Sequence, residues 1–392
     1  MTAVSCSAED LRSARPTRLR AQLCAVGGVL PQAVGGQQKR TDDRRGLWYL
    51  LQDEQGRIGI GEASPLPGFS PDSLADCAKA LQALGDTLQP VDFDADGWPR
   101  FPSLHALPAA RCAIETAYGD LWAQRLGPAG RLSTVLSAAD VPARSHIPIN
   151  ALCNSLAEAQ AAVAAGAATL KLKLGGADFE GELQHLSELR RALPAGVALR
   201  IDVNGAWTLE QARERLPRLA ALRLQFVEQP VAAGRGELCR LGSAEVPIAA
   251  DESLQDADER QALFSQPFCV AWVVKPMLLG LRAARALSLQ AQAHGRGVVI
   301  THAFDGPVAH AAACELAFSL PQSPWACGLA PHAGLQAWPQ VALPHLARSD
   351  REPGGATDGY VLHAPSGPGL GFVDRTIFSD AARALGSARG GR

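Results

Sequence analysis

The chain has 392 residues, 47% apolar and 19% charged, with a net charge of −2. Without a basic excess, composition gives no reason to expect nucleic acid or an anionic membrane as partner. No apolar run reaches the roughly 18 residues of a membrane-spanning helix.

Residues 1–14 are polar and are expected to fray. Three strands are predicted next, in TRLRAQLCAVGGVL at 17–30, GLWYLLQDEQ at 46–55 and RIGIGEAS at 57–64, the last two joined by a turn at 53–56. Ser70 and Pro71 read as N-cap and first residue of a helix running to about Leu84. Two loops, at 35–45 and 65–69, have the polar, glycine-containing or Pro-Gly composition of segments that can reach over a site. A further helix is expected over 107–126, ending at Gly127.

From there apolar runs alternate with helical stretches. Strands are predicted at 146–152, 169–174, 198–204, 224–230, 246–253, 269–276, 297–304 and 324–329. Most are continuous Val-, Ile- and Leu-rich runs, as expected of strands covered on both faces. Ser155 with Glu158, and Thr208 with Gln211, fit capping boxes that open the helices between them. Eight such strands mean a parallel α/β barrel. An open doubly wound sheet would advertise a GxGxxG turn, and there is none. The expected division is an α+β cap over 1–106, a barrel over 107–353, and a segment over 354–392 returning to the cap, with a solvated basic tail at 383–392. Nine cysteines, irregularly spaced and without a CxxC pair, argue against a disulfide framework or cysteine zinc site. With no secretory leader in the first 20 residues, they point to a cytoplasmic protein.

Five residues close successive predicted strands: Lys173, Asp202, Glu228, Asp251 and Lys275, at intervals of 29, 26, 23 and 24 residues. Each interval is about one strand plus one helix, so the barrel gathers all five on the face where barrel active sites lie. Three clustered carboxylates would repel each other without a cation. Mg²⁺, with its preference for oxygen ligands, resolves this. Lys171 shares a strand face with Lys173. Adjacent ammoniums are expected to depress each other's pKa and make a neutral amine available as a base. Lysines on both sides of a metal site suit α-proton abstraction, with the metal stabilising the enediolate. Asn204 and Gln229 are expected to orient ligands or their waters. Glu252 competes with Asp251 for the ligand role, because strand alternation turns only one of them inward; Ser253 follows. Thr301, His302 and Asp305 in VVITHAFDGP are expected to contact substrate or cap a helix. No GxSxG elbow, HExxH or P-loop is present.

At these residues the chain resembles the enolase superfamily, in its muconate lactonizing branch. KLK at 171–173, DVN at 202–204, EQP at 228–230, DES at 251–253 and VVKP at 273–276 match in order and spacing. Within the branch it is most similar to the o-succinylbenzoate synthase group, through GEASPLPGFS at 61–70, ARCAIETAYGDLWAQRLG at 110–127, IPINAL at 147–152 and GPGLGF at 367–372. The resemblance implies a modified TIM-type (β/α)7β barrel with an α+β capping domain formed by the N-terminal region and the C-terminal segment. It implies Mg²⁺, with Mn²⁺ as a substitute, on Asp202, Glu228 and Asp251. Lys173 becomes the base and then the acid of a menaquinone-pathway dehydratase, Lys275 faces the enediolate, Lys171 tunes Lys173, and cap loops near 33–41 and 65–69 enclose a small-molecule carboxylate. A homo-oligomer is left open. The chain departs from the group at 301–306, THAFDG, where a serine-rich run is usual. Relatives on the same scaffold racemize N-acylamino acids, epimerize dipeptides or cycloisomerize muconates. Dipeptide epimerases carry an Asp-x-Asp pair on the last strand, where this chain reads PWACGLAP. A non-catalytic barrel is the remaining alternative.

Overall fold

In the computed structural model of the protein, which describes residues 7–28, 44–90, 92–137, 141–242, 245–332, 334–335, 338, 341, 343–344 and 360–381, the N-terminal apolar stretches pair into one antiparallel sheet. Its strands are β1 (Leu19–Gly28), β2 (Arg44–Gln52), β3 (Ile58–Ala63) and the short β4 (Thr87–Leu88), in the order β3-β2-β1-β4. All six residues of β3 are buried, because the helix Pro108–Arg125 lies along it. Gly59 and Gly61 make that approach possible. A Cβ on Gly59 would stand 2.1 Å from the Ala117 carbonyl oxygen, and one on Gly61 1.8 Å from that of Ala113. Both obstacles are helix backbone, which cannot move aside as a flexible side chain can.

Two expectations near the N-terminus are corrected. The described part of 1–14 is not frayed: Ser7 and Asp10 form a capping box for the helix Ala8–Ser13, and the Leu11 carbonyl accepts from Trp122 Nε1 at 2.8 Å. The next helix is Leu74–Ala83, capped by Ser73 with Asp76, rather than one opening at Ser70. The Ser70 hydroxyl is already used within the preceding turn, accepting the Leu66 N–H at 2.8 Å. The loop expected at 33–41 and the tail at 383–392 lie outside the described residues.

The second sheet holds seven parallel strands in chain order: β6 (Ala151–Leu152), β7 (Thr169–Lys173), β8 (Ala198–Asp202), β9 (Phe226–Glu228), β10 (Ile248–Ala250), β11 (Cys269–Val274) and β12 (Gly297–Ile300). Parallel bridges Ile149–Cys327 and Thr301–Gly328 insert the segment 324–329 between the last strand and the first. Backbone bonds from Trp325 to Val298 and from Cys327 to Pro148, each 2.8 Å, close the ring. The fold is therefore a (β/α)7β barrel with an antiparallel cap. The eighth predicted strand is present only as this pair of bridges. The first, predicted over 146–152, is broken at Ile149–Asn150: its early part, β5 (His146–Pro148), pairs antiparallel with β13 (Val361–His363) of the C-terminal segment. Of the two proposed capping boxes, Thr208 and Gln211 form one. Ser155 caps Glu158, whose carboxylate instead accepts the Asn154 N–H at 2.7 Å.

Asp120 ties the C-terminal segment in place. Fully buried, its carboxylate accepts the N–H groups of Ile60 (2.9 Å) and Leu370 (2.8 Å) and pairs with Arg375. Asp120→Ala would leave a cation and two backbone donors unmatched. It is expected to cost about 3–5 kcal/mol, read as a lower urea midpoint and faster proteolysis within 360–381. An unchanged midpoint would contradict this account.

Candidate active site

Side chains alternate along a strand, so residues two apart share a face. Lys171 and Lys173 on β7, Arg200 and Asp202 on β8, and Phe226 and Glu228 on β9 share theirs in this way. The ladder register sets Lys173 opposite Asp202, and Asp202 opposite Glu228, so the three stand abreast at the C-terminal strand ends. Asp251 follows β10 and Lys275 follows β11. Below them Phe226, Ala249, Ala271, Val273 and Val299 pack into a separate apolar cluster, the floor of the site.

Two of the three lysines are committed to carboxylates. Lys171 Nζ lies 2.9 Å from Asp202 Oδ2 and 2.7 Å from Glu228 Oε1. Lys275 Nζ pairs with Asp251 Oδ2. Lys173 is exposed at the mouth, its ammonium 5.9 Å from the centroid of the Phe304 ring. Burial, and then the neighbouring Asp202 charge, push Glu228 up to about 8. Burial and the adjacent Glu252 push Asp251 up to about 6. Burial acts to raise Asp202 as well, but the Lys171 ammonium outweighs it and holds that carboxyl below its ordinary range. The expectation that Lys171 is depressed by its neighbour is overturned. Burial does oppose its charge, yet Asp202 and Glu228 raise it above the ordinary lysine value. Asp251 and Glu252 do the same for Lys275.

The strand ends also differ from expectation. β8, β9 and β10 stop at Asp202, Glu228 and Ala250, and the chain then turns sharply. Asn204 and Gln229 have φ of 48° and 38°, in the left-handed region that side chains other than glycine rarely adopt. Asn204 donates its backbone N–H to Asp202 Oδ1 at 3.0 Å. Gln229 is fully buried. Its side-chain oxygen accepts the N–H groups of Asp251 (3.0 Å) and Ser253 (3.2 Å), and its nitrogen donates to Ser253 Oγ (2.8 Å) and Val231 O (2.9 Å). Gln229 thus fixes the backbone that carries Asp251. The choice between Asp251 and Glu252 by alternation fails, because Asp251 lies beyond the strand and opens a 3₁₀ turn. Both carboxylates act on Lys275, and both oxygens of Glu252 are buried without a hydrogen-bond partner.

The turn after β12 is divided among different tasks. Thr301 Oγ1 donates to Gly328 O at 2.9 Å, across the barrel closure. His302 Nδ1 accepts the Phe304 N–H (3.2 Å), which leaves Nε2 to donate to Ala330 O (3.3 Å). Burial, with His310 and His332 alongside, holds His302 well below the ordinary histidine range. Asp305 is buried, accepts the Ala303 N–H at 3.3 Å, and is pushed up to about 7 by burial despite Arg44. The following helix, Pro307–Phe318, is not capped by Asp305. Glu62 of the cap accepts the N–H groups of Gly306 (2.7 Å), Val308 (3.2 Å) and Ala309 (3.5 Å). Arg44, Glu62 and Phe304 therefore adjoin the site without having been singled out from sequence. The sequence signals were the GEASP run for Glu62 and the THAFDG run for Phe304, and neither says what these residues touch.

Asp202, Glu228 and Asp251 offer hard oxygen donors of the kind Mg²⁺ selects. The Lys171 ammonium between two of them marks a position where positive charge is already favoured. Among the described residues no three His, Cys, Asp or Glu side chains converge as a ready ligand sphere. The donor chemistry of Asp202, Glu228 and Asp251 fits a divalent cation, which these three carboxylates would hold.

Residues 154–374 match the enolase C-terminal domain-like family. Over 284 residues the chain is 31% identical to an o-succinylbenzoate synthase of Thermosynechococcus vestitus, covering 70% of this chain and 80% of that protein. The chain belongs to the enolase superfamily. It is an enzyme of that superfamily, 32% identical over 292 residues to an L-Lys-D/L-Arg epimerase of Methylococcus capsulatus (69% of this chain, 78% of the relative). The fold matches the muconate lactonizing enzyme of Pseudomonas fluorescens complexed with muconolactone at TM-score 0.73 and 20% identity, over 93% and 99% of the two chains. It matches the Methylococcus capsulatus dipeptide epimerase complexed with Mg and L-Arg-D-Lys at TM-score 0.68 and 23% identity, over 90% and 98%. Among the described residues no helix is long and apolar enough to cross a membrane, and all eight described cysteines are free.

Proposed function

We propose that the protein is a Mg²⁺-dependent dehydratase that converts 2-succinyl-6-hydroxy-2,4-cyclohexadiene-1-carboxylate to o-succinylbenzoate. The observation that carries this reading is the division of labour among the lysines. Lys171 and Lys275 are held by carboxylates, while Lys173 stands exposed at the mouth, in register with Asp202 and Glu228. Asp202, Glu228 and Asp251 would hold the cation. When bound, it supplies fixed positive charge beside a substrate carboxylate and favours negative charge building up there. Lys173 removes the proton from the carbon α to that carboxylate and returns it to the departing hydroxyl, which leaves as water. Lys275 faces the developing charge from the other side, and Lys171 keeps Asp202 and Glu228 in place. The same proposal divides the chain into a cap (1–106), a barrel (107–353) and a returning segment (354–392).

The closing segment of the barrel, Trp325-Ala326-Cys327-Gly328-Leu329, contains no carboxylate, which supports a dehydratase over a dipeptide epimerase. A racemase of N-succinylamino acids is the second reading, supported by lysines on both sides of the carboxylates. Purified protein with Mg²⁺ is expected to bleach the cyclohexadiene absorbance. Exchange of the Cα proton of succinylated amino acids in D₂O, without bleaching, would replace the dehydratase by the racemase.

A further inference from the structure

The cap reaches into the barrel through one buried cation. Arg44 opens β2 and is only 1% exposed. Its guanidinium donates to four carbonyl oxygens. Two belong to the cap, Ser64 and Pro65 (the latter at 2.6 Å); two belong to the turn after β12, Ala303 and Phe304, each at 3.1 Å. Arginine's planar fork suits such a bridge, because several fixed N–H groups can serve acceptors on different segments at once. Glu62 grips the other end of the same turn through the N–H groups of Gly306, Val308 and Ala309.

Between these two grips Phe304 has φ of 54°. A bulky residue in the left-handed region is strained and persists only where its surroundings over-determine it. Here both backbone groups are held: the N–H donates to His302 Nδ1, and the carbonyl accepts from Arg44 Nε. The consequence lies in the side chain, whose ring faces the Lys173 ammonium. An aromatic face at that range attracts a cation and shields it from water on one side.

We infer that Arg44 is a positioning residue for Lys173: it holds the 301–306 turn so that the Phe304 ring orients the lysine side chain. The inference rests on the proposed role of Lys173 as base. The cap therefore contributes to catalysis from a residue that need not touch substrate.

The test uses the full-length protein with Mg²⁺ and compares Arg44→Met, Phe304→Leu and the double variant. Arg44→Met is expected to lower kcat by on the order of 10- to 100-fold, with KM and Mg²⁺ affinity little changed. Because Arg44 acts through Phe304, the double variant should lose no more than Phe304→Leu alone. Multiplying losses, or a full kcat in a variant whose melting temperature alone has fallen, would overturn the inference. Should Arg44→Met fail to fold, Arg44→Lys, which keeps the charge and loses the fork, takes its place. A second readout needs no turnover. The chain has five lysines, so ¹³C-lysine NMR resolves Lys173, assigned with Lys173→Arg. Its ring-current shift should collapse in Phe304→Leu and in the Arg44 variant alike. Persistence in the Arg44 variant sinks the inference. Lys173→Ala, run in parallel, separates the two levels: an active Lys173→Ala removes the proposed base, whereas an inactive one beside a fully active Arg44→Met removes only Arg44's part.

Discussion

Lys173→Ala is expected to lower turnover by on the order of 10²–10⁴-fold, the range of a lost general base, while the protein still folds and binds Mg²⁺. The selectivity follows from geometry. Among the described residues Lys173 forms no ion pair; its ammonium faces a ring and the open mouth, so its removal strands no buried carboxylate. Lys171→Ala should behave differently. It would leave Asp202 and Glu228 facing each other across a buried gap without their cation, and a buried charge stripped of its partner is costly. Lys171→Ala should therefore lower the melting temperature of the metal-free protein markedly, and Mg²⁺ should restore much of the loss. Steady-state rates and calorimetric melts on the two variants check this. Equal stability losses, or a Lys173→Ala enzyme with near-parental turnover, would reject the assignment of base and support.

The second large effect is a coupling between pH, stability and metal. In the metal-free protein Glu228 is pushed up to about 8 and Asp251 to about 6, against ordinary values of 4.5 and 3.8. Between those limits the folded chain holds protons that the unfolded chain has released. Stability from these groups is therefore complete below the ordinary values and is lost as pH rises through 6 and then 8. Asp202, held low, acts in the opposite sense: its contribution is present above 3.8 and lost as pH falls. The raised lysines Lys171 and Lys275 keep theirs until well above 10.5. Glu228 and Asp251 titrate across pH 6–8, and Asp305, pushed up to about 7 by burial, adds to the dependence in the same sense. Chelator-treated protein is expected to melt lower at pH 8.5 than at pH 6. Added Mg²⁺ should raise the melting temperature more at the higher pH and release protons on binding at the lower one. Glu228→Gln should flatten the dependence. An equal Mg²⁺ effect at both pH values would contradict the carboxylate assignment.

The three barrel carboxylates, Lys173 and Lys275 were legible because each closes an apolar run, and parallel strands one helix apart bring their ends together; Lys171 was legible as the residue two before Lys173 on the same strand. The positions at which the strands stop were not. Asn204, Gln229 and Phe304 adopt positive φ against their own preferences, and local propensity carries no trace of a conformation that tertiary contacts impose. The alternation argument over Asp251 and Glu252 fails for the same reason, since it was extended past a strand that had already ended at Ala250. Lys171 was misjudged because like charges two residues apart are visible in sequence. The carboxylates at 202 and 228 that overrule them are brought near only by the fold.

By itself the sequence determined the barrel, its cap, and the identity and order of the charged strand ends, because periodicity and spacing are local properties that survive without knowledge of contacts. Only the tertiary structure decided which lysines are held by carboxylates and which faces the mouth. It also decided that Arg44 and Glu62, about 240 to 260 residues away in the chain, grip the turn beside that lysine. The reason is physical: a buried guanidinium or carboxylate takes whichever backbone groups the packing leaves unsatisfied, and those groups are known only once the cap has settled on the barrel.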